Sequence, residues 1–137
     1  MAQASAETRR LLAPGGWAAL MWNDRPASGT PFLEAYENFL RAHGIDYEDV
    51  KHRHIDEDAL HRYFAPTRPR VAYFDNPRAL GRSDLTALVA SASYMPAPGH
   101  PRHSAMAAAL AQLFDAHAVD GRVQMHYRTR MHYGPLV

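Results

Sequence analysis

The chain has 137 residues, a length that fits one domain with a core of ordinary size. Fifteen basic and fourteen acidic residues leave a net charge of +1, so neither nucleic acid nor a membrane surface is indicated as a partner. The absence of cysteine excludes disulfides, thiolate catalysis and cysteine-ligated metals. No apolar run approaches the roughly 18 residues that span a bilayer, and no secretion signal is recognised. A cytoplasmic protein is expected.

The first predicted elements are a helix, a turn and a strand. Residues 3–12 predict a helix that Ser5 caps, and Pro14, Gly15 and Gly16 end it. The apolar run 17–22 is typical of a strand buried on both faces in a parallel sheet.

A second helix is predicted from Thr30 and Pro31, which are typical of a cap and a first helical position. Aromatic residues at helical spacing follow, and Gly44 closes the segment. Residues 45–55 are polar and irregular, and they predict an extended connection.

Shorter elements follow in the middle of the chain. Asp56 is expected to cap a short helix, and residues 70–74 predict a strand that ends in an Asn76-Pro77 turn. Ser83 is expected to cap a further helix.

The last third predicts one long helix and one long strand. The helix opens at Pro101 and closes at Gly121. Residues 122–133 alternate strictly, with Val123 and Tyr127 on an inner face and the arginines and histidines on a solvent face. Three strands with four or five helices predict an α/β fold.

The segment AETRRLLAPGGWAALMWNDR resembles the approach to the fifth strand of class I S-adenosylmethionine-dependent methyltransferases, where a helix and a glycine turn feed a buried strand. The rest is similar to a small-molecule subfamily. The matching features are the aromatic helix PFLEAYENFL, a loop with Ser91, Ser93, Tyr94 and Pro96, and a closing strand with Tyr127 and Thr129. The resemblance covers nearly the whole chain. It implies a partial Rossmann-like methyltransferase fold with a long antiparallel C-terminal strand, in which residues 1–137 form one domain, the C-terminal half.

The same resemblance implies that the cofactor half is missing. Such folds hold S-adenosylmethionine on a glycine-rich loop after the first strand and on an acidic residue after the second. This sequence has only Gly15-Gly16 at a helix-to-strand turn, and Glu7 and Asp24 have the wrong context for the ribose. We therefore expect the acceptor-side half of a methyltransferase, which takes a small-molecule acceptor and does not bind the cofactor alone.

Five residues are candidates for acceptor binding. Trp22, Asn23 and Arg25 are at the carboxyl end of the first strand, at the edge where open α/β sheets bind ligands. Tyr36 could line an apolar acceptor pocket, since aromatic rings suit small organic ligands. The resemblance implies that the loop with Tyr94 borders the substrate cleft. The alternative is structural, with Trp22 in the core, Asn23 in a turn, and the Tyr94 hydroxyl holding its own loop.

The nine histidines suggest two further possibilities. His52 or His54 could act as a general base near neutral pH. No spacing marks three convergent zinc ligands, so no metal site is assigned and a metal-dependent hydrolase is the weaker alternative. The other alternative is a non-catalytic module. It would associate with itself or with a separate N-terminal chain, because the strand at residues 17–22 would have an exposed edge.

Overall fold

A computed structural model describes residues 2–51 and 56–136. Within those ranges the chain forms six helices and three strands. In chain order they are α1 (Ala2–Leu11), β1 (Trp17–Asp24), α2 (Pro31–His43), α3 (Tyr47–Lys51), α4 (Glu57–Phe64), β2 (Arg70–Leu80), α5 (Arg82–Ala90), α6 (His103–His117) and β3 (Val123–Pro135). The general-base candidates His52 and His54 lie outside the described residues.

The three strands form one sheet in the order β1-β3-β2. The C-terminal strand β3 therefore lies in the middle, and it pairs antiparallel with β1 from Trp17 opposite Pro135 to Asp24 opposite Arg128. The predicted mixed α/β class and the long antiparallel C-terminal strand are confirmed. None of the helices in the described ranges is long and apolar enough to cross a membrane.

Two compact units make up the chain. The first contains Met1–Asp24, His54–Asn76 and Arg128–Val137, and the second contains Arg25–Arg53 and Pro77–Tyr127. Two of the bounds between them, after Asn76 and after Tyr127, fall inside β2 and β3. The expectation of a single domain stays a prediction.

The second unit contains the larger hydrophobic core. Helix α2 contributes Phe32, Leu33, Phe39 and Leu40, and α5, α6 and the first half of β3 complete it. The sequence signals for α2 are confirmed, since the Thr30 side chain accepts a hydrogen bond from Leu33 N–H at 3.2 Å and Pro31 is the first helical residue.

The first unit has a smaller core made by α4 and the end of β3. Tyr63, Phe64 and Leu136 are buried there, and Ala18 and Leu20 of β1 pack against them. Helix α4 begins as predicted after Asp56, whose carboxylate accepts a hydrogen bond from Ala59 N–H.

Strand β1 differs from its prediction. Its residues alternate between exposed and half-buried, and Trp17 and Met21 are 52% and 64% exposed. The prediction of burial on both faces is wrong. An unbroken apolar run specifies a strand but not how many of its faces are covered, and here only the face with Ala18 and Leu20 packs on the core.

Three local predictions fail at turns and caps. Residues 45–55 are not simply an extended connection, because Tyr47–Lys51 form α3. Asn76 and Pro77 do not form a turn but continue β2 to Leu80. Gly81, and not Ser83, precedes α5, and its N–H donates to the Asp84 carboxylate at 3.0 Å.

The bounds of the first and the last helix also differ from those predicted. Ser5 lies inside α1 instead of capping it, and its buried hydroxyl donates to the Tyr63 carbonyl at 2.8 Å. The last helix begins at His103 after a turn and ends at His117, inside the predicted bounds of Pro101 and Gly121.

Strand β3 changes its buried face along its length. Val123 and Met125 are buried as predicted, but beyond Thr129 burial passes to the predicted solvent face, and His132 is 1% exposed. The first half contributes to the core of the second unit and the end contributes to the core of the first. A strict period of two cannot encode such a change of face.

Candidate functional site

The second unit contains a carboxylate buried on an otherwise apolar helix face. Glu37 of α2 is 5% exposed and lies between the core residues Leu33 and Leu40 at helical spacing. A buried carboxylate requires a charged or hydrogen-bonding partner, because its desolvation is costly.

Arg25, directly after β1, supplies that partner. Its Nη2 lies 2.7 Å from Glu37 Oε2, and the two side chains are 15% and 6% exposed. The Tyr47 hydroxyl donates to the same carboxylate oxygen at 2.8 Å and accepts from Arg25 Nη2 at 3.0 Å. Arg41 Nε adds a hydrogen bond to Glu37 Oε1 at 3.2 Å. Two guanidinium groups and one phenol thus surround one carboxylate.

Aromatic rings surround this ion pair. The Arg25 guanidinium carbon lies 5.0 Å from the centre of the Tyr36 ring, within the range of a cation–π contact. The Tyr47 and Tyr94 rings are 5.1 Å apart. The backbone also fixes Tyr94, because its carbonyl accepts from Ile45 N–H at 2.9 Å. We call Arg25, Tyr36, Glu37, Tyr47 and Tyr94 the arginine–tyrosine group.

Burial sets the protonation of this group. It raises the pKa of Tyr47 to about 12, with the hydrogen bond to Glu37 as the next cause. Burial also raises the pKa of Tyr36, Tyr94 and the neighbouring Tyr127. At Arg25 burial is the largest single cause and opposes the charge, but the hydrogen bond to Glu37 and the electrostatic attraction of Tyr47, Glu37 and Tyr36 together outweigh it, so the pKa is raised. The phenols are therefore neutral at pH 7 and the guanidinium is charged.

These properties limit the chemistry of the group. A phenol whose pKa is raised is a poor base at neutral pH, and Arg25 is already paired with a carboxylate. Tyr36 and Tyr47 are only 4% and 8% exposed, so the half-buried Tyr94 is the tyrosine of the group that can meet a ligand. The group is therefore suited to contacting an organic molecule through Tyr94 rather than to moving a proton.

Three of the five predicted acceptor-binding residues come together in this group, namely Arg25, Tyr36 and Tyr94. Glu37 and Tyr47 were not predicted. The sequence pattern does mark Glu37, because in PFLEAYENFL this acidic residue falls on the apolar stripe of the predicted helix. No signal marked Tyr47, which lies on a helix that the sequence did not predict.

Trp22 belongs to the first unit. Its ring stacks on His132, with centres 5.3 Å apart and planes 8° from parallel, and Arg130 lies over it at 4.7 Å. Arg130 Nε is 3.2 Å from the Asp24 carboxylate. Burial lowers the pKa of His132, and neither ring nitrogen has a hydrogen-bond partner among the described residues. These contacts favour the structural role for Trp22.

Asn23 is on the opposite side of β1 from Trp22, since successive strand residues alternate. Its side-chain oxygen accepts from the Thr129 hydroxyl at 2.6 Å and from Asn76 Nδ2 at 3.3 Å. Asn76 Nδ2 also donates to Thr129 at 3.2 Å. This network links the three strands across an exposed face.

The glycine turn before β1 does not fit a cofactor cradle. Gly15 has a φ of +76°, and Gly16 N–H donates to the Ala13 carbonyl at 2.9 Å. A Cβ on Gly16 would lie 2.9 Å from that same carbonyl, so the glycine serves the turn itself. In residues 2–51 and 56–136, no three histidine, aspartate or glutamate side chains are grouped to hold a metal ion.

No protein-family model matches the chain, and no curated protein matches it. The arginine–tyrosine group and the sheet are therefore the features from which a function can be inferred.

Proposed function

We propose that this chain is the acceptor-side half of an S-adenosylmethionine-dependent methyltransferase, with a partial Rossmann-like fold. The observation that carries the proposal is the arginine–tyrosine group. Arg25, Tyr36 and Tyr94 were selected from the sequence for acceptor binding, and they lie together in one unit.

The order of the elements gives further support. A helix, a glycine turn and a strand begin the chain, and a long antiparallel strand closes it beside β1. This is the order that the resemblance implies for the second half of such an enzyme. Many unrelated folds share the mixed α/β class and a similar order of strands. The arginine–tyrosine group is therefore the stronger support for the proposal.

In the proposed role the group binds and orients the acceptor. Methyl transfer depends mainly on holding the acceptor atom in line with the methyl group. The half-buried Tyr94 can offer its ring and exchange a hydrogen bond with a hydroxyl or carbonyl group, while the buried Tyr36 and Tyr47 contact Arg25 and support the group from the core. The contact with Glu37 fixes Arg25 and Tyr47, so the rings keep their positions. The expected acceptor is a flat, hydroxylated small molecule.

The methyl donor is proposed to bind elsewhere. When bound, S-adenosylmethionine supplies an electrophilic methyl group, but the Gly15-Gly16 turn offers it no cradle. We therefore expect the purified chain to show no saturable heat when it is titrated with S-adenosylmethionine. Tight binding would overturn the claim that this chain is only the acceptor side.

Acceptor binding is tested on the same protein. A panel of small hydroxylated aromatics, with 8-hydroxyquinoline and catechol as the first probes, is titrated while amide resonances are followed by NMR. Saturable shifts at Tyr36 and Tyr94 that Tyr94→Ala abolishes support the proposal. Tyr73→Ala is the matched control, because Tyr73 is 50% exposed on β2 and lies in the first unit. Shifts that are equal in the two variants, or no shifts with any probe, contradict it.

A second candidate is a non-catalytic module that associates through β1. This strand pairs only with β3 among the described strands, and it exposes Trp17 and Met21 beside its free edge. Edge strands with exposed apolar side chains favour addition of another strand. The occupant most consistent with this edge is a second copy of the chain, whose β1 can pair antiparallel about a two-fold axis. Light scattering over a range of concentrations distinguishes a dimer from a monomer.

A further inference from the structure

Helices α5 and α6 of the second unit line an apolar cavity of about 150 Å³ that is partly open to solvent, since the lining residues Ala90 and Ala107 are exposed. Apolar residues at helical spacing form its walls, namely Leu85 and Val89 on α5 and Met106, Leu110 and Phe114 on α6. Pro96, Ala97 and Pro98 close one end. The cavity is separate from the arginine–tyrosine group, because it shares none of the residues of that group.

Alanines create the space. Ala107 and Ala111 lie between the large residues on the α6 stripe, and Ala90 occupies the corresponding position on α5. A leucine in place of any of them would occupy much of the volume.

Two of the three polar side chains at the margin are already engaged. The Thr86 hydroxyl donates to the Arg82 carbonyl at 2.9 Å. The Arg82 guanidinium forms an ion pair with Asp115 and lies 4.7 Å from the Phe114 ring centre. The third polar side chain in the lining is His103, a half-buried residue at the start of α6. An anionic ligand would therefore have to compete with Asp115 for Arg82.

Size and lining together indicate the ligand. An apolar space of roughly 150 Å³ has room for a benzene-sized molecule. From this geometry we propose that the α5–α6 cavity is a binding site for a compact, uncharged aromatic ring, either free or as the terminal ring of a larger ligand. The wall residues Leu85, Val89, Met106, Leu110 and Phe114 are all buried, so the helical walls of the site belong to the core of the second unit.

Toluene is the probe, and the methionine methyl groups report its binding. Met106 is 4% exposed in the wall, whereas Met21 is 64% exposed on β1 and serves as an internal control. In a chain with labelled methionine methyl groups, we expect toluene to shift the Met106 resonance along a saturating single-site curve. The Met21 resonance is expected to stay in place. A linear, non-saturating shift, or equal shifts at the two methionines, would overturn the proposal.

Filling the cavity provides the decisive variants. Ala107→Leu and Ala111→Leu are expected to abolish the saturating shift, since the added atoms occupy the space of the ring. Ala108→Leu is the matched control, because Ala108 is an exposed neighbour on α6 outside the cavity lining. Thermal unfolding of each variant shows whether it remains folded. An undiminished shift in both folded filling variants would overturn the site.

Charge selectivity tests the ligand class. Benzoate has the same ring as toluene but carries a carboxylate. We expect benzoate to shift Met106 at least about tenfold more weakly, because Arg82 is already paired with Asp115. Tighter binding of benzoate than of toluene would contradict the assignment of an uncharged ligand. The acceptor proposal does not depend on this result, since its test uses Tyr94→Ala, outside the cavity lining.

Discussion

Arg25 and Glu37 form an ion pair at 2.7 Å in which both side chains are largely removed from solvent. Such a pair is costly to bury and also costly to break, since removing one partner leaves the other charge in a medium of low dielectric constant. The pair thereby holds the tyrosines around it in fixed positions, which is what a site for orienting an acceptor requires.

Breaking this pair is the first prediction. Glu37→Gln is expected to lower the free energy of unfolding by about 3 kcal/mol, because the Arg25 charge then remains buried without its carboxylate. Urea denaturation followed by circular dichroism measures the change. Glu7→Gln is the matched control, since it removes the exposed Glu7–Arg10 pair and should leave the denaturation midpoint unchanged. Equal shifts in both variants would contradict a special role for the buried pair.

The second prediction concerns the Tyr47 hydroxyl in alkaline solution. Burial raises its pKa from 10.0 to about 12, so the folded state holds this proton more tightly than the unfolded chain. The resulting stabilisation is complete below pH 10.0 and is lost as the pH rises through about 12. Tyr47→Phe should therefore reduce the fall of stability over this range, measured as the urea midpoint against pH. Tyr73→Phe is the control, because Tyr73 is an exposed tyrosine of β2. Its urea midpoint should fall with pH as steeply as that of the parent.

The third prediction concerns acid. Burial lowers the pKa of His132 from 6.5, so the unfolded chain takes up a proton before the folded state does. The folded state is then favoured above pH 6.5 and loses stability as the pH falls from 6.5 toward the lowered value. His132→Phe keeps a ring against Trp22 and removes two unpartnered nitrogens. It should flatten this acid slope and change stability at pH 7 by no more than about 1 kcal/mol.

The control for that experiment is His126→Phe, at an exposed position of the same strand. It should retain the acid slope of the parent. If the stability of the His132 variant falls with decreasing pH as steeply as that of the parent, other groups cause the loss of stability in acid.

The fourth prediction tests strand addition at β1. Met21→Lys places a charge on the exposed face of β1. Because Met21 is 64% exposed, the free energy of unfolding should change by less than about 0.5 kcal/mol. If two copies pair through β1, the variant should remain monomeric at concentrations where the parent dimerises. Light scattering measures the mass, and Val119→Lys, at an exposed residue outside the named strands, is the control. A dimer that survives in the Met21 variant would exclude this surface.

Local patterns in the sequence determined most of the helices. Thr30-Pro31 and Asp56 mark where α2 and α4 begin, because a cap and a first-turn proline act through neighbouring backbone atoms. The alternation near the C-terminus likewise predicted β3 and the buried Val123 and Met125. These features depend on residues a few positions apart, and such spacing can be read directly.

Contacts between distant segments were decided only by the tertiary structure. The placement of β3 between β1 and β2 leaves β1 at an edge with one face open, although its apolar run indicated two covered faces. His132 is buried because the end of β3 packs in the first unit, on the face that alternation assigned to solvent. Glu37 tolerates burial because Arg25 and Tyr47, 12 and 10 residues away, meet it. The sequence selected Arg25, Tyr36 and Tyr94 as candidates, but only folding supplied the carboxylate that fixes them, since the stability of a buried charge depends on partners that no local pattern specifies.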